Sequence, residues 1–297
     1  MKQTITKLII PCAGFGTRFL PATKAVPKPL LPVLGKPTIQ WVVEEAIASG
    51  IKEIIFVIMK GHEAIIDHFS YNPKLYAHLK KFNKLERLGN IEDLRKKVKF
   101  NFIYQKHFYG TAYPVLDAEQ CIGNKPFAVV WSDEIDAPLK GGWSKHVPRL
   151  NQMLKAFKKY QNPVIAAYPT DNEGTKKYGI IEGNEVEKNV WQVKKYFEKP
   201  GPKKTYSRLT ARGCYILTPD IFAIMKKLSR KLKHDQEFYL TDAILALSKQ
   251  RPVYAKLISN KLYDTGNVLS WLKANVELGL RDKEIGKELR SYLNIKT

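Results

Sequence analysis

Cysteine is scarce, with Cys12, Cys121 and Cys214 the only three in 297 residues. An odd number of widely spaced thiols with no CxxC pair supplies neither a disulfide framework nor a thiolate zinc site. Reduced, mostly buried thiols are expected. Long apolar runs are also lacking. Nothing approaches the roughly 20 residues a membrane span needs, and the chain opens into a strand-like stretch, not a signal-peptide core. A cytoplasmic protein is therefore expected. Acidic residues are few, 28 against 50 Lys and Arg, which leaves a formal charge of +22 and implies attraction to phosphates on nucleic acid, lipid or small substrates. The sequence has no internal repeat, no GxGxxG fingerprint and no Walker A pattern. It also fails as a zinc HExxH. After His62 and Glu63 the next histidine is His68, about 240° around a helix from the first, so exposed helix histidines are expected instead.

What is present suits a folded chain. Hydrophobic residues at 44% and charged residues at 26% lie far from the disordered regime. Residues 7–13 read as a buried strand, and Ile39, Val42, Val43, Ala46 and Ile47 then recur at helical spacing between Pro37 and Gly50. A strand over 53–59 and a helix near 62–69 complete a βαβ opening. Strand patterns at 98–104, 126–131 and 163–168 alternate with helical patterns at 111–121 and 144–160. Residues 70–100 read as a basic, exposed helical insertion. Three strand candidates at 178–182, 190–197 and 212–217 have no helix between them, so antiparallel strands covering one side of the sheet are expected. Helices close the chain at 219–228, 240–248 and 268–280, the last with Leu269, Leu272, Val276 and Leu280 on one face. The predicted fold is α/β: a Rossmann-like, mainly parallel sheet flanked by helices, with added antiparallel strands and a helical C-terminal extension.

The most informative stretch follows the first strand. It runs Gly14, Phe15, Gly16, Thr17, Arg18, Phe19, Leu20, Pro21, Ala22, Thr23, Lys24, Ala25, Val26, Pro27, Lys28. Its glycines permit positive φ and close approach of backbone N–H groups to a phosphate or base, while Arg18, Lys24 and Lys28 supply positive charge. Further blocks follow in order: Tyr178-Gly179-Ile180-Ile181, Glu198-Lys199-Pro200, Tyr239-Leu240-Thr241-Asp242-Ala243 and Tyr263-Asp264-Thr265-Gly266-Asn267. Together they resemble the signatures of the sugar-1-phosphate nucleotidylyltransferases over nearly the whole chain. Within that family they are most similar to the bacterial UTP-glucose-1-phosphate uridylyltransferases.

The resemblance implies an enzyme that uses Mg²⁺, UTP and glucose 1-phosphate to make UDP-glucose and pyrophosphate. It implies catalytic roles for Arg18, Lys28, Asp133 and Lys199, and Mg²⁺ ligation by Asp133 and Asp264. Nucleotide contacts fall to Ala13, Gly14, Gly16, Thr17, Gln105 and Gly110, and sugar-phosphate contacts to Gly179, Glu198 and Lys199. It also implies a catalytic domain over 1–250, with the basic insertion at about 70–98. The strand and helices of 251–297 would complete the site and form a homo-oligomer interface. No membrane partner is expected.

The chain departs from the uridylyltransferase pattern in places. Lys28-Pro29-Leu30-Leu31-Pro32 stands where Lys-Glu-Met-Leu-Pro is usual, a form more typical of guanylyltransferases. Phe108-Tyr109-Gly110-Thr111 replaces Gly-Leu-Gly-His, and Trp131-Ser132-Asp133-Glu134 replaces Leu-Pro-Asp-Asp. Guanylyl or thymidylyl transfer to another hexose 1-phosphate therefore stays open. So does a non-catalytic nucleic-acid-binding or assembly protein, suggested by Tyr71, Tyr76, Phe82 and Phe100 among the lysines of 70–100. His107 is a candidate nucleotide contact or a loop residue without a role.

Overall fold

The computed structural model describes residues 3–107, 109–138, 142–233 and 236–294, so Phe108 lies outside the described residues. Strand β1 (Lys7–Pro11) leads through a long loop to the short hairpin β2 (Pro32–Val33) and β3 (Lys36–Pro37). Helix α1 (Thr38–Ala48), β4 (Glu53–Ile58) and α2 (Ala64–Phe69) follow, then the insertion helices α3 (Pro73–Lys81) and α4 (Ile91–Lys97). Next come β5 (Lys99–Tyr104), α5 (Tyr113–Asp117), α6 (Glu119–Ile122), β6 (Phe127–Val130), β7 (Glu134–Asp136), α7 (Arg149–Tyr160) and β8 (Val164–Pro169). The last third holds β9 (Ile180–Glu187), β10 (Val190–Phe197), β11 (Leu209–Leu217), α8 (Asp220–Ser229), α9 (Leu240–Ser248), β12 (Tyr254–Leu257), β13 (Leu262–Asp264), α10 (Val268–Gly279) and α11 (Gly286–Tyr292).

Nine strands form one sheet in the order β5-β4-β1-β6-β11-β8-β12-β10-β9. The expectation of a mainly parallel sheet is corrected here. Strands β5, β4, β1 and β6 run parallel, as do β8 and β12, but β6–β11, β11–β8, β12–β10 and β10–β9 are antiparallel. The later strands continue this sheet but not in one plane: β9, at the edge beside β10, also pairs back with β11 through Thr210↔Ile180, so the added antiparallel strands curl over.

Period-two alternation divides the core. Leu8, Ile10, Ile54, Phe56 and Ile58 point toward α1, α2, α4 and α7, whereas Ile9, Ile55 and Val57 point toward α5, α6, α8 and α9. Strand β12 sits inside the sheet, so the last segment shares this core. A third cluster, with Val33, Ile135, Tyr263, Ala274 and Leu278, seats α10 over the β7–β13 ladder. That helix turns Ala274 and Leu278 inward and leaves Leu269, Leu272 and Val276 exposed. In the insertion only Leu79 of α3, Leu94 of α4 and Val98 are buried. No helix among the described residues is long and apolar enough to cross a membrane.

Candidate active site

Loops leaving the carboxyl ends of β1, β5 and β6 meet above the sheet, where open α/β folds commonly bind ligands. They enclose a cleft of about 630 Å³. Ala13, Gly14, Gly16, Thr17, Arg18, Lys28, Gln105, Gly110 and Asp133 all line it. Residues up to 120 apart in sequence thus meet on one surface.

Glycine matters at two of these positions for different reasons. At Gly16, φ is +65° and a Cβ would lie 2.9 Å from the Lys28 Cβ, so its absence lets the loop fold back and bring Lys28 into the cleft. Thr23 Oγ1 donates to the Gly16 carbonyl at 2.8 Å and holds that fold. At Gly110, φ is +128° and a Cβ would fall 2.2 Å from the Phe238 carbonyl oxygen. Here the chain is sewn to the start of α9, with Phe238 N donating to Tyr109 O and Ala112 N to Phe238 O. Gly14 needs no positive φ and faces open space, leaving its backbone accessible.

The two candidate metal ligands come from different elements. Asp133 follows β6, and its Oδ2 accepts from Lys28 Nζ at 2.5 Å. Asp264 ends β13, which pairs with β7 so that Asp264 faces Glu134. Thr265 N and Oγ1 both donate to the Asp133 carbonyl at 2.8 Å and tie the two segments together. A Cβ on Gly266 would lie 2.8 Å from Asp264 Oδ1 and 3.5 Å from Asp133 Oδ2. Both carboxylates therefore converge on the space that Gly266 leaves open. Two hard oxygen donors beside this cleft fit Mg²⁺, which takes a few carboxylates and completes its shell with water and substrate oxygens.

Gly179, Glu198 and Lys199 form a neighbouring group that does not line the large cleft. Register Phe197↔Ile180 in the β9–β10 ladder sets Glu198 beside Gly179. A Cβ at 179 would meet Tyr196 at 2.6 Å and Glu198 Oε2 at 3.3 Å, so glycine keeps this floor open. Thr241 Oγ1 donates to Glu198 Oε2 at 3.2 Å, and Lys199 Nζ lies 3.5 Å from Oε1. Lys199 adopts φ +46°, a left-handed conformation that a lysine takes at some cost and that often marks functional sites. Burial pushes the Tyr196 hydroxyl up to about 12, so it stays protonated beside Glu198. Tyr178 Oη donates to Asp264 Oδ2 at 2.9 Å and joins this group to the carboxylates.

Reading the sequence alone missed Arg212. It is the single cation in the otherwise uncharged strand β11, and that lone charge was the available signal. Its Nε donates to Glu134 Oε1 at 2.7 Å and its Nη2 lies 3.1 Å from Asp264 Oδ2. The histidine expectation is corrected. His62 and His68 are half-buried, because His62 Nδ1 bonds the Cys12 carbonyl and His68 Nε2 bonds Gln40 Oε1, each at 3.0 Å. His107 bonds Asp117 at 2.7 Å and stacks on Tyr113, while its carbonyl accepts from the Gln105 side chain. Cys12 and Cys214 are buried and Cys121 partly so, all three as free thiols, and burial raises the first two above the ordinary thiol range.

The chain is similar to known proteins over nearly its whole length. A UTP–glucose-1-phosphate uridylyltransferase of Bacillus subtilis (strain 168), YngB, is 35% identical over 293 residues, 99% of this chain and 96% of its own length. A crystal structure of UDP-glucose pyrophosphorylase complexed with UDP-glucose superposes with a TM-score of 0.81 at 34% identity, covering 93% of this chain and 98% of that one. A UTP-bound UGPase from Acinetobacter baumannii gives 0.86 at 28% identity, covering 99% and 100%. The nucleotidyl transferase family profile matches residues 7–279, from β1 through α10. With the glycine loop, the paired aspartates and the Glu-Lys pair all inside that span, the chain belongs to the nucleotidyl transferase family.

Proposed function

We propose that this protein transfers a uridylyl group from UTP to glucose 1-phosphate, giving UDP-glucose and pyrophosphate. The observation that carries this reading is a cleft large enough for a nucleotide, with Arg18 and Lys28 on its glycine loop, beside a Glu-Lys pair whose neighbour Tyr178 bonds Asp264. Relatives and solved neighbours named for UTP and UDP-glucose support it.

A phosphate oxygen of the sugar phosphate attacks the α-phosphorus, the bond from that phosphorus to the α,β-bridging oxygen breaks, and pyrophosphate leaves with the bonding electrons. The nucleophile is already ionised, so no general base is required and catalysis rests on alignment and charge. Arg18 and Lys28 would neutralise the triphosphate. Ala13, Gly14 and Gly110 would meet the base through the main chain, with Gln105 at its edge and Gly16 and Thr17 at the phosphates. Lys199 would hold the sugar phosphate and Glu198 the sugar hydroxyls over Gly179. Asp133 and Asp264 would hold Mg²⁺, which when bound offsets phosphate charge. The segment 251–297 supplies Asp264 to this site, and its exposed Leu269, Leu272 and Val276 would serve a homo-oligomer contact.

Pro29 lines the nucleotide cleft where the uridylyltransferases usually carry Glu, and this favours keeping guanylyl transfer as the second reading. Pyrophosphate release with Mg²⁺, four nucleoside triphosphates and several sugar 1-phosphates decides between them. UTP with glucose 1-phosphate is expected to be fastest. A faster GTP or dTTP reaction selects the alternative, and no release with any pair defeats the enzymatic reading.

Glu198→Gln should cost about 2 to 4 kcal/mol of transition-state binding, seen as a lower kcat/KM for glucose 1-phosphate, because an amide oxygen accepts more weakly and its NH₂ opposes a donating hydroxyl. Phosphate contacts would be spared. Rates with glucose, galactose and mannose 1-phosphates at fixed UTP check this, and an unchanged profile removes Glu198 from the sugar site.

A further inference from the structure

Glu134 and Asp264 face each other directly across the β7–β13 ladder, a position where two like charges repel. Arg212 reaches over from β11, only 9% exposed, and engages both. Its guanidinium also lies 3.9 Å above the Tyr178 ring, and the Tyr178 hydroxyl donates to the same Asp264 oxygen that Arg212 holds. The other oxygen, Oδ1, accepts from Gly266 N at 2.7 Å and borders the space at Gly266 that Asp133 Oδ2 also borders. Room for this arrangement depends on Gly213, where a Cβ would sit 2.8 Å from Glu134 Oε2 and 2.2 Å from Trp131. Glu134 is in turn backed by the buried Arg149, 3.9 Å away.

We infer that Arg212 is a positioning residue for the metal and sugar-phosphate site: braced by Glu134, it clamps Asp264 Oδ2 together with Tyr178 and so presents Oδ1 to the space shared with Asp133. This rests on the proposed metal role of Asp264. A lysine cannot do the same work. Its single ammonium lacks the planar fork that spans two carboxylates and stacks on a ring. Mere charge compensation makes the opposite prediction, since removing a cation beside Asp264 should tighten metal binding.

Binding of Mn²⁺ to the protein with UDP-glucose present, followed by electron paramagnetic resonance of the free ion, separates these cases without reading activity. Arg212→Met and Arg212→Lys are each expected to weaken Mn²⁺ binding by roughly tenfold or more, the usual cost of losing a residue that orients a metal ligand. In an Asp264→Asn background, Arg212→Lys should add no further loss. Circular dichroism and urea melts establish that each variant is folded, and the lysine variant carries the test if the methionine variant is not. Unchanged or tighter Mn²⁺ binding in a folded variant overturns the inference, as do additive losses in the Asn background. A parent protein that binds no Mn²⁺ overturns the metal assignment and this inference with it. A parent that binds it while folded variants match it overturns this inference alone.

Discussion

Asp133→Asn is expected to lower kcat by roughly a thousand-fold, about 4 kcal/mol of transition-state stabilisation, while the protein stays folded. The substitution removes one negative charge and almost nothing else. The Asp133 main chain is held by Thr265, whose N–H and hydroxyl both donate to its carbonyl, and an asparagine keeps those bonds. Its side chain is 32% exposed, so Lys28 loses a partner at a site that water reaches, and stability should fall by no more than about 1 kcal/mol. Activity has no such buffer. Charge on the triphosphate must be met by cations that the protein holds in place, and a neutral amide cannot keep a divalent ion opposite Asp264. Lys28, freed from its carboxylate, would bind the nucleotide more firmly without aligning it, so KM for UTP should change far less than kcat. Turnover measured across a Mg²⁺ titration, with urea melts as the folding control, checks this. Metal-dependent turnover close to the parent's removes Asp133 from the metal site.

The glycine loop stood out because its residues are contiguous: Gly14 to Lys28 sets glycines and cations within fifteen residues, and the structure places that loop on the large cleft. Helix α1 was readable from period alone, between a proline and a glycine. The sheet was harder, since a run such as β11, apolar from Cys214 to Leu217, records burial on both faces but not direction. Insertion of β11 between β6 and β8, and of β12 between β8 and β10, depends on long-range pairing with no local signature. The same limit hid Arg212, whose partner Glu134 lies 78 residues away. The lone charge in an uncharged strand marks Arg212 as unusual, but nothing local names its partner. The spacing of Leu269, Leu272 and Val276 gave a helix face correctly, but the helix packs through Ala274 and Leu278 instead. Periodicity identifies an apolar stripe and not what lies against it.

Arg149→Met is expected to destabilise the fold by about 3 to 5 kcal/mol, the cost of stranding a buried charge. Arg149 is fully buried at the first position of α7, where its Nε and Nη2 donate to Glu45 at 3.2 and 2.8 Å. Glu45, 1% exposed, also accepts from Leu150 N at 3.0 Å, and Asp136 accepts from Arg149 N at 2.5 Å. Two carboxylates thus serve the first N–H groups of this helix, with Arg149 the cation between them. Burial pushes the Glu45 carboxyl above its ordinary range, and Arg149 pulls it back. Without Arg149 the upward push of burial and of nearby Asp136 is opposed only by the Leu150 N–H, so the variant's Glu45 should be protonated in the folded state well above the pH at which it ionises unfolded. An acid whose folded pKa is raised contributes stability below its unfolded pKa and loses it as pH rises through the folded value. The deficit relative to the parent should accordingly be smaller near pH 5 than near pH 8. Adding Glu45→Leu should recover much of the loss at both pH values, because replacing both buried charges by apolar side chains is often nearly neutral, whereas removing one is not. Urea unfolding of the parent, the single variant and the double variant at the two pH values measures all of this. A single variant as stable as the parent at pH 8, or a deficit independent of pH, means that Glu45 does not depend on Arg149.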